Sequence, residues 1–116
     1  MTAPIRTTRE VIIESPQTKL VLDKEFVSTF KAADATPSVL NLTKFKAGNS
    51  VANNVTYFDD GQDGQAISIL GDGFTTVVHN LGPPAKIATH GAANLLLLAN
   101  KVYRFTRYDS VWIEDA

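Results

Sequence analysis

An acidic turn, Asp59 to Gly64, holds the side chains of this sequence that are best suited to bind a cation. Asp59, Asp63 and Gly64 fall at positions one, five and six of a calcium-binding EF-hand loop. The twelfth position is Leu70, however, where such a loop needs a bidentate glutamate. Asp and Gly are also the residues that tight turns prefer. We therefore expect this segment to be a turn, and we expect no metal site.

Two histidines, His79 and His90, are the remaining candidate metal ligands. His79 ends a β-type run and His90 precedes a Gly turn, so the two side chains would approach each other if these runs were neighbouring strands. A zinc site needs at least a third ligand, and no local spacing supplies one. We expect hydrogen-bonded structural histidines and no bound cofactor.

Catalytic carboxylates and nucleophiles are the next candidates. Glycan hydrolysis requires two carboxylates about 5 to 10 Å apart across a cleft. Asp60, Asp72 and Glu114 are available, but each has an adequate structural role in a turn or near the C-terminus. There is no cysteine, no serine lies in a Gly-x-Ser-x-Gly sequence, and the glycines precede β-type runs rather than the helix of a phosphate loop. The sequence predicts no enzymatic activity.

Four aromatic residues near the C-terminus allow two interpretations: Tyr103, Phe105, Tyr108 and Trp112. They could form a platform for sugars, since flat rings stack on sugar faces and carry a polar tip. They could instead fill the core and a subunit interface, where large aromatic area is most used. We favour core and interface, with Arg104 and Arg107 covering apolar surface while their charged heads stay in water.

The composition is that of a soluble globular domain, with 44% hydrophobic and 20% charged residues among 116. The charges nearly balance, 11 basic against 12 acidic, for a net charge of −1. Nucleic acid and anionic membranes both need a basic patch, so we expect neither as the main partner. The N-terminus lacks the apolar run of a signal peptide, and the longest apolar run, Leu95 to Ala99, is too short to cross a bilayer. We expect a protein made in a cytoplasm.

Two β-hairpins are predicted from the spacing of turns and β-type runs. The first joins Ala66–Leu70 to Thr75–Val78 through Gly71-Asp72-Gly73, whose glycines accept the positive φ angles of a tight reversal. The second joins Val102–Tyr108, whose apolar and polar residues alternate, to Val111–Glu114.

Shorter runs complete an all-β pattern. The further predicted strands are Glu10–Glu14, Lys19–Asp23, Val39–Lys46 and Ile87–Thr89. The first two would pair as a hairpin around Ser15-Pro16. Lys24–Ala35 stays open between a helical turn or two and a strand or loop. Leu95–Leu98 is apolar throughout, which indicates that both of its faces are buried. The pattern predicts an antiparallel β-sandwich, jelly-roll-like in arrangement.

The sequence FDDGQDGQAISILGDGFTTVVH, followed by KIATHGAANLLLLANKVYRFTRYDSVWIE, resembles a module at the C-terminal ends of bacteriophage tail spikes and fibres. The shared order is a Phe with a Gly-rich turn, an Ile-rich strand, a Gly-Asp-Gly turn, a Thr-Thr strand ending in His, a Gly-Ala turn, an alternating aromatic strand and a terminal Trp. Related stretches occur in other phage virion proteins. The resemblance runs from Thr36 to Glu114, although Leu81–Pro84 departs from it and residues 1–35 have no counterpart.

The resemblance implies a non-enzymatic structural protein of a phage particle, because the catalytic machinery of the spikes belongs to a different, longer domain. We expect a capsid decoration (cement) protein that binds and stabilises the head shell, since the chain is short and opens with its own Met. The alternative is a tail spike, fibre or knob module for attachment or host-glycan binding. A small glycan-binding lectin is a third hypothesis. The expected location is the virion, and the expected partners are other copies of the chain and the major capsid protein or other virion proteins.

We expect one globular domain with an arm (residues 1–9), a hairpin and connecting segment (10–35) and a β-module (36–116). A second apolar face on the C-terminal strands would be too large to leave exposed, which predicts an oligomer. The resemblance implies that this oligomer is a trimer. The predicted trimer interface comprises Leu95, Leu96, Leu97, Leu98, Tyr103, Phe105 and Trp112. The arm is predicted to contact the capsid through Thr2, Ile5, Arg6 and Arg9.

Overall fold

The structure is a computed structural model that describes residues 26–115. The predicted capsid-contact arm and the predicted hairpin of residues 10–23 lie outside the described residues. Residues 26–115 contain nine strands and no helix, which confirms the all-β prediction. A short strand therefore replaces the helical turn that was one alternative for Lys24–Ala35. No helix of a length and apolarity suited to crossing a membrane occurs in this part of the chain.

All nine strands are short, with turns rich in Gly, Asn and Asp between them. In chain order they are β1 (Val27–Thr29), β2 (Lys44–Lys46), β3 (Asn53–Val55), β4 (Ala66–Leu70), β5 (Thr75–Val77), β6 (Ile87–Ala88), β7 (Leu95–Leu96), β8 (Val102–Tyr108) and β9 (Val111–Glu114). Six of them form one sheet in the order β1-β2-β4-β8-β9-β6. The other three form a second sheet in the order β3-β5-β7.

The strand pairing is mixed, so the prediction of an antiparallel arrangement is wrong. The pairs β1–β2, β2–β4, β3–β5 and β6–β9 are parallel, whereas β4–β8, β5–β7 and β8–β9 are antiparallel. Parallel neighbours require a long crossover, and residues 30–43 and 47–65 supply such connections on either side of β2. Apolar alternation is a local signal and does not reveal which distant strand becomes the neighbour.

The Gly71-Asp72-Gly73 turn joins the two sheets, so the first predicted hairpin is also wrong. It leads from β4 in the six-stranded sheet to β5 in the three-stranded sheet. Gly71 approaches Leu97 and the Leu98 carbonyl so closely that an added Cβ would overlap their backbone. The Gly71 N–H donates to the carbonyl oxygen of Lys101 at 2.8 Å. These contacts hold the turn against the β7–β8 connection and direct the chain out of the first sheet.

The second predicted hairpin is confirmed. β8 and β9 pair antiparallel with Tyr108 opposite Val111. The two residues between them, Asp109 and Ser110, both have positive φ angles, 48° and 69°, as in a type I′ turn. A two-residue turn of this type matches the right-handed twist of the strands that it joins.

The shorter predicted strands have different outcomes. The strand predicted over Ile87–Thr89 is present as β6. The strand predicted over Val39–Lys46 is reduced to β2, because the chain turns at Leu40 and Asn41, where Asn41 has a φ of 58°. Leu40 is consequently exposed.

Both sheets contribute to one hydrophobic core. Its buried side chains are Phe30, Val39, Phe45, Val55, Phe58, Ile67, Ile69, Val77, Ile87, Leu97, Tyr103, Phe105 and Trp112. The ring of Phe58 lies 5.4 Å from that of Phe105 and 5.6 Å from that of Trp112, centroid to centroid. The Trp112 indole N–H donates to the Phe58 carbonyl at 3.0 Å, which satisfies the polar atom of a fully buried side chain.

Candidate interaction surfaces

The seven residues of the predicted trimer interface divide between the core and the surface. Four of them are core residues of the single chain: Leu97, Tyr103, Phe105 and Trp112. Leu95 is half-buried, whereas Leu96 is 44% and Leu98 is 51% exposed. Only one face of Leu95–Leu98 is therefore buried within a chain. Burial of the other face by a second copy stays a prediction, and it now concerns Leu96 and Leu98.

The Tyr103 hydroxyl fixes the backbone that carries these two leucines. It accepts the N–H of Leu98 at 2.9 Å and donates to the carbonyl of Leu96 at 3.4 Å. Its ring is buried beneath the same segment. The exposed leucines are thus presented by backbone that is anchored to the core, not by a loose loop.

The strands beside Leu96 present uncharged side chains. Asn54, Thr76 and Leu96 lie side by side across β3, β5 and β7 and point away from the core. None of these three strands contains a charged residue. We call this surface the uncharged face; its members are Asn54, Phe74, Thr76, Val78, Leu96 and Leu98. Phe74 is 44% exposed, so the face is apolar at three positions that reach solvent.

The outer face of the six-stranded sheet has the opposite character. Lys44, Ser68 and Arg104 form one row across β2, β4 and β8. Lys46, Leu70 and Val102 form the next row, and Val27 of β1 pairs with Lys44. These residues line an open groove of about 400 Å³, which we call the cationic groove. Its walls are apolar and its rim carries three basic side chains.

Asp72 is one of the candidate catalytic carboxylates, and both of its carboxylate oxygens accept hydrogen bonds within the fold. Oδ1 accepts the N–H groups of Phe74 and Thr75, and Oδ2 accepts the Asn49 N–H and the Thr75 hydroxyl, each at 2.8 Å. Partial burial alone would raise the pKa of this carboxyl. The bonds from Phe74, Asn49 and Thr75 outweigh that effect and hold the pKa of Asp72 below its ordinary value of 3.8. Asp72 therefore anchors the turn between the sheets.

The acidic turn is likewise built into the fold. Asp60, with a φ of 65°, accepts the Ser38 hydroxyl at 2.7 Å. Asp63 accepts the Ser110 N–H at 2.9 Å and lies 3.3 Å from the Arg107 guanidinium. These contacts agree with the expected turn role. Across residues 26–115, no group of three or more His, Asp or Glu side chains is placed to hold a metal ion.

The two histidines are brought to neighbouring segments. His79 Nδ1 accepts the N–H of Thr89 at 3.1 Å and lies 3.3 Å from the Thr89 hydroxyl. His90 is exposed, and its backbone N–H donates to Glu114 Oε1 at 2.8 Å. His79 thus has the structural hydrogen bond that was expected of both histidines, whereas the hydrogen bond at exposed His90 comes from its backbone.

The cationic groove is the feature that sequence reasoning missed. The alternation Lys44-Phe45-Lys46, with Phe45 buried between two exposed lysines, was a local signal for one wall of it. Arg104 and Val102 lie more than fifty residues further along the chain. Only the β2–β4–β8 pairing brings them together.

Searches against protein-family models, curated proteins and solved structures found no match to this chain.

Proposed function

We propose that this protein is a non-enzymatic structural component of a phage particle, specifically a capsid decoration protein that forms a homotrimer and binds the head shell. The resemblance of Thr36–Glu114 to phage virion modules supports the proposal that the protein belongs to a phage particle. The observation that carries self-association is the uncharged face, with Phe74, Leu96 and Leu98 held exposed on it. Trimeric symmetry comes from the resemblance alone.

The uncharged face suits a contact between proteins because covering it removes apolar surface from water and none of its six members carries a charge. Covering the exposed half of one leucine contributes about 1 kcal/mol. Leu96, Leu98 and Phe74 together contribute a few kcal/mol per subunit, before the costs of association. A single contact of this strength is weak, so a stable assembly needs several of them. A closed ring of identical subunits provides them because each subunit contacts both of its neighbours.

Localising the protein on a particle tests the proposal. Purified protein is added to phage particles that lack it, and bound protein is imaged by electron cryomicroscopy. Density at symmetry axes of the head shell is the expected result. Density confined to the tail would replace the decoration role by the spike or fibre role. An absence of binding to any part of the particle contradicts both.

Self-association is tested separately by mass. In about 0.5 M NaCl, which screens contacts between charged surfaces, sedimentation equilibrium of the wild-type protein should give three times the chain mass of 12.6 kDa. A stable mass of one chain at every concentration contradicts the trimer, and a mass of two chains contradicts its symmetry. The particle experiment remains informative in either case.

A further inference from the structure

The cationic groove and the acidic turn lie at opposite ends of the same two strands. β4 and β8 run antiparallel, with Leu70 and Val102 at the groove end and Ala66 and Thr106 at the other. Beyond that second end, the Gly64 N–H donates to the Arg107 carbonyl at 2.7 Å and fixes the acidic turn there. The central strands therefore carry positive charge at one end and negative charge at the other.

The end of the molecule around the acidic turn combines charge with exposed apolar groups. We call it the acidic end; its members are Leu40, Asp59, Asp60, Asp63, Tyr108 and Asp109. Arg107 compensates Asp63 at 3.3 Å, so the remaining carboxylates leave this end negative. Leu40 is 56% exposed, and its N–H donates to the Ser38 hydroxyl that Asp60 accepts. Tyr108, which precedes Asp109, is 59% exposed. An acidic surface with two apolar projections results.

The cationic groove is complementary to the acidic end in charge and in apolar surface. Its apolar walls, Val27, Leu70 and Val102, offer surface for projecting side chains. Lys46 stands at its rim, and Arg104 has only a loose ion pair with Asp115 at 3.9 Å, both side chains being exposed. A long N···O distance between exposed groups is worth little, so Arg104 can exchange Asp115 for another carboxylate.

From this geometry we infer that the cationic groove binds the acidic end of a second copy of the chain, head to tail. Tyr108 or Leu40 enters between the apolar walls, and Asp60 and Asp109 face Lys46 and Arg104. Nucleic acid would suit the groove alone, but the acidic end and the net charge of −1 repel phosphates. Because the two surfaces differ, the contact is heterologous and either closes into a ring or extends into a row. It is separate from the uncharged face and does not depend on the proposed function.

Neutralising variants test each side of the contact. Asp60→Asn with Asp109→Asn removes two charges, and Asn tolerates the positive φ angles of both positions, 65° and 48°. Lys46→Gln with Arg104→Gln neutralises the groove. Each double variant should weaken self-association about three- to tenfold by sedimentation equilibrium, the range expected for two exposed charge pairs. Asp34→Asn, in an exposed turn that belongs to neither surface, is the matched control.

Charge reversal gives the sharper result. A groove-reversed protein (Lys46→Glu, Arg104→Glu) and an end-reversed protein (Asp60→Lys, Asp109→Lys) should each lose the contact when alone. Mixed in equal amounts they should associate with each other, since each then offers the other a complementary surface. Far-ultraviolet circular dichroism confirms that each variant is folded before mixing.

The dependence on salt concentration distinguishes this contact from a contact through the uncharged face. Raising NaCl from about 0.05 to 0.5 M shortens the Debye length and should weaken the head-to-tail contact, whereas apolar association persists. Self-association that does not respond to salt, or that responds equally to Asp34→Asn and to the groove variants, overturns the inference. A wild-type protein that stays monomeric at low salt and high concentration overturns it as well.

Discussion

Replacing Asp72 by Ala removes the acceptor that holds the turn between the two sheets. Four donors lose their partner: the N–H groups of Asn49, Phe74 and Thr75, and the Thr75 hydroxyl. They differ in access to water, which decides the cost. Phe74 is exposed and its N–H can bond to water, whereas Thr75 is 1% exposed and cannot do so without opening the turn.

The size of the effect follows from the buried donors. An unsatisfied buried N–H or hydroxyl costs about 1 to 3 kcal/mol, and an exposed one very little. Thr75 and half-buried Asn49 therefore account for most of the loss, and we expect Asp72→Ala to lower the free energy of unfolding by about 3 kcal/mol. Asp72→Asn keeps one carbonyl oxygen for the N–H groups of Phe74 and Thr75. Asp72→Asn should lower the free energy of unfolding by about half as much as Asp72→Ala does.

The pH dependence gives a second signature of the same carboxylate. Because hydrogen bonds hold the pKa of Asp72 below its ordinary value, its ionised form stabilises the folded state. This contribution is fully present above the unfolded-state pKa of about 3.8 and is lost as the pH falls through the lower folded-state pKa. The stability difference between wild type and Asp72→Asn should shrink as the pH is lowered below about 4.

The assay is urea unfolding followed by tryptophan fluorescence. Trp112 is the single tryptophan and is fully buried, so its emission reports the core. Asp34→Ala is the matched control, since Asp34 accepts one backbone N–H, from Thr36 at 3.0 Å, in an exposed turn. The control should cost less than about 1 kcal/mol.

Two results would refute this reasoning. The first is a loss in Asp72→Ala no larger than that in Asp34→Ala, which would mean that the turn finds other partners. The second is a difference between wild type and Asp72→Asn that stays constant from neutral pH to about pH 3, which would mean that the carboxylate charge contributes nothing.

Three further predictions concern other parts of the fold. Trp112→Phe leaves the Phe58 carbonyl without its donor and opens a cavity, and should lower the free energy of unfolding by about 2 to 4 kcal/mol, followed by circular dichroism because the variant lacks the single tryptophan. Gly71→Ala forces a Cβ into the backbone of Leu97 and Leu98 and should lower the thermal midpoint by several degrees, more than Gly91→Ala, where no atom lies within 4 Å of an added Cβ. Leu96→Asp should leave unfolding of the single chain nearly unchanged but lower the mass in sedimentation; an unaltered mass contradicts the uncharged face as an interface.

The sequence predicted those features that depend on neighbouring residues. The β8–β9 hairpin followed from an alternating strand, a two-residue turn and a second alternating strand. The Gly71–Gly73 turn carries the same local signals, yet its hydrogen bonds to Lys101 and Leu97 give it a different role. Those partners lie more than twenty residues away, and nothing in the turn itself identifies them.

The candidate surfaces show the same limit. Leu96 and Leu98 were identified from their apolar run, but Tyr103, Phe105 and Trp112 could not be assigned to core or interface without knowing which sheet face is covered. The cationic groove escaped prediction because its residues come from four strands that are neighbours in the sheet but lie far apart in the chain. Residue type predicted the chemistry of these side chains, and strand order determined where they meet.

The alternation of the two sheets along the chain has a consequence for how the protein is made. From β2 to β8 successive strands belong to different sheets by turns, so neither sheet occupies a continuous stretch of sequence. During synthesis, therefore, neither sheet is complete before strands of the other sheet have been made. β4 cannot pair with β8 until about thirty further residues have been synthesised. The pair of β3 and β5 lacks its third strand until β7 has been synthesised. We expect late, all-or-none folding with a high contact order, and no fragment cut between β2 and β8 should retain either sheet.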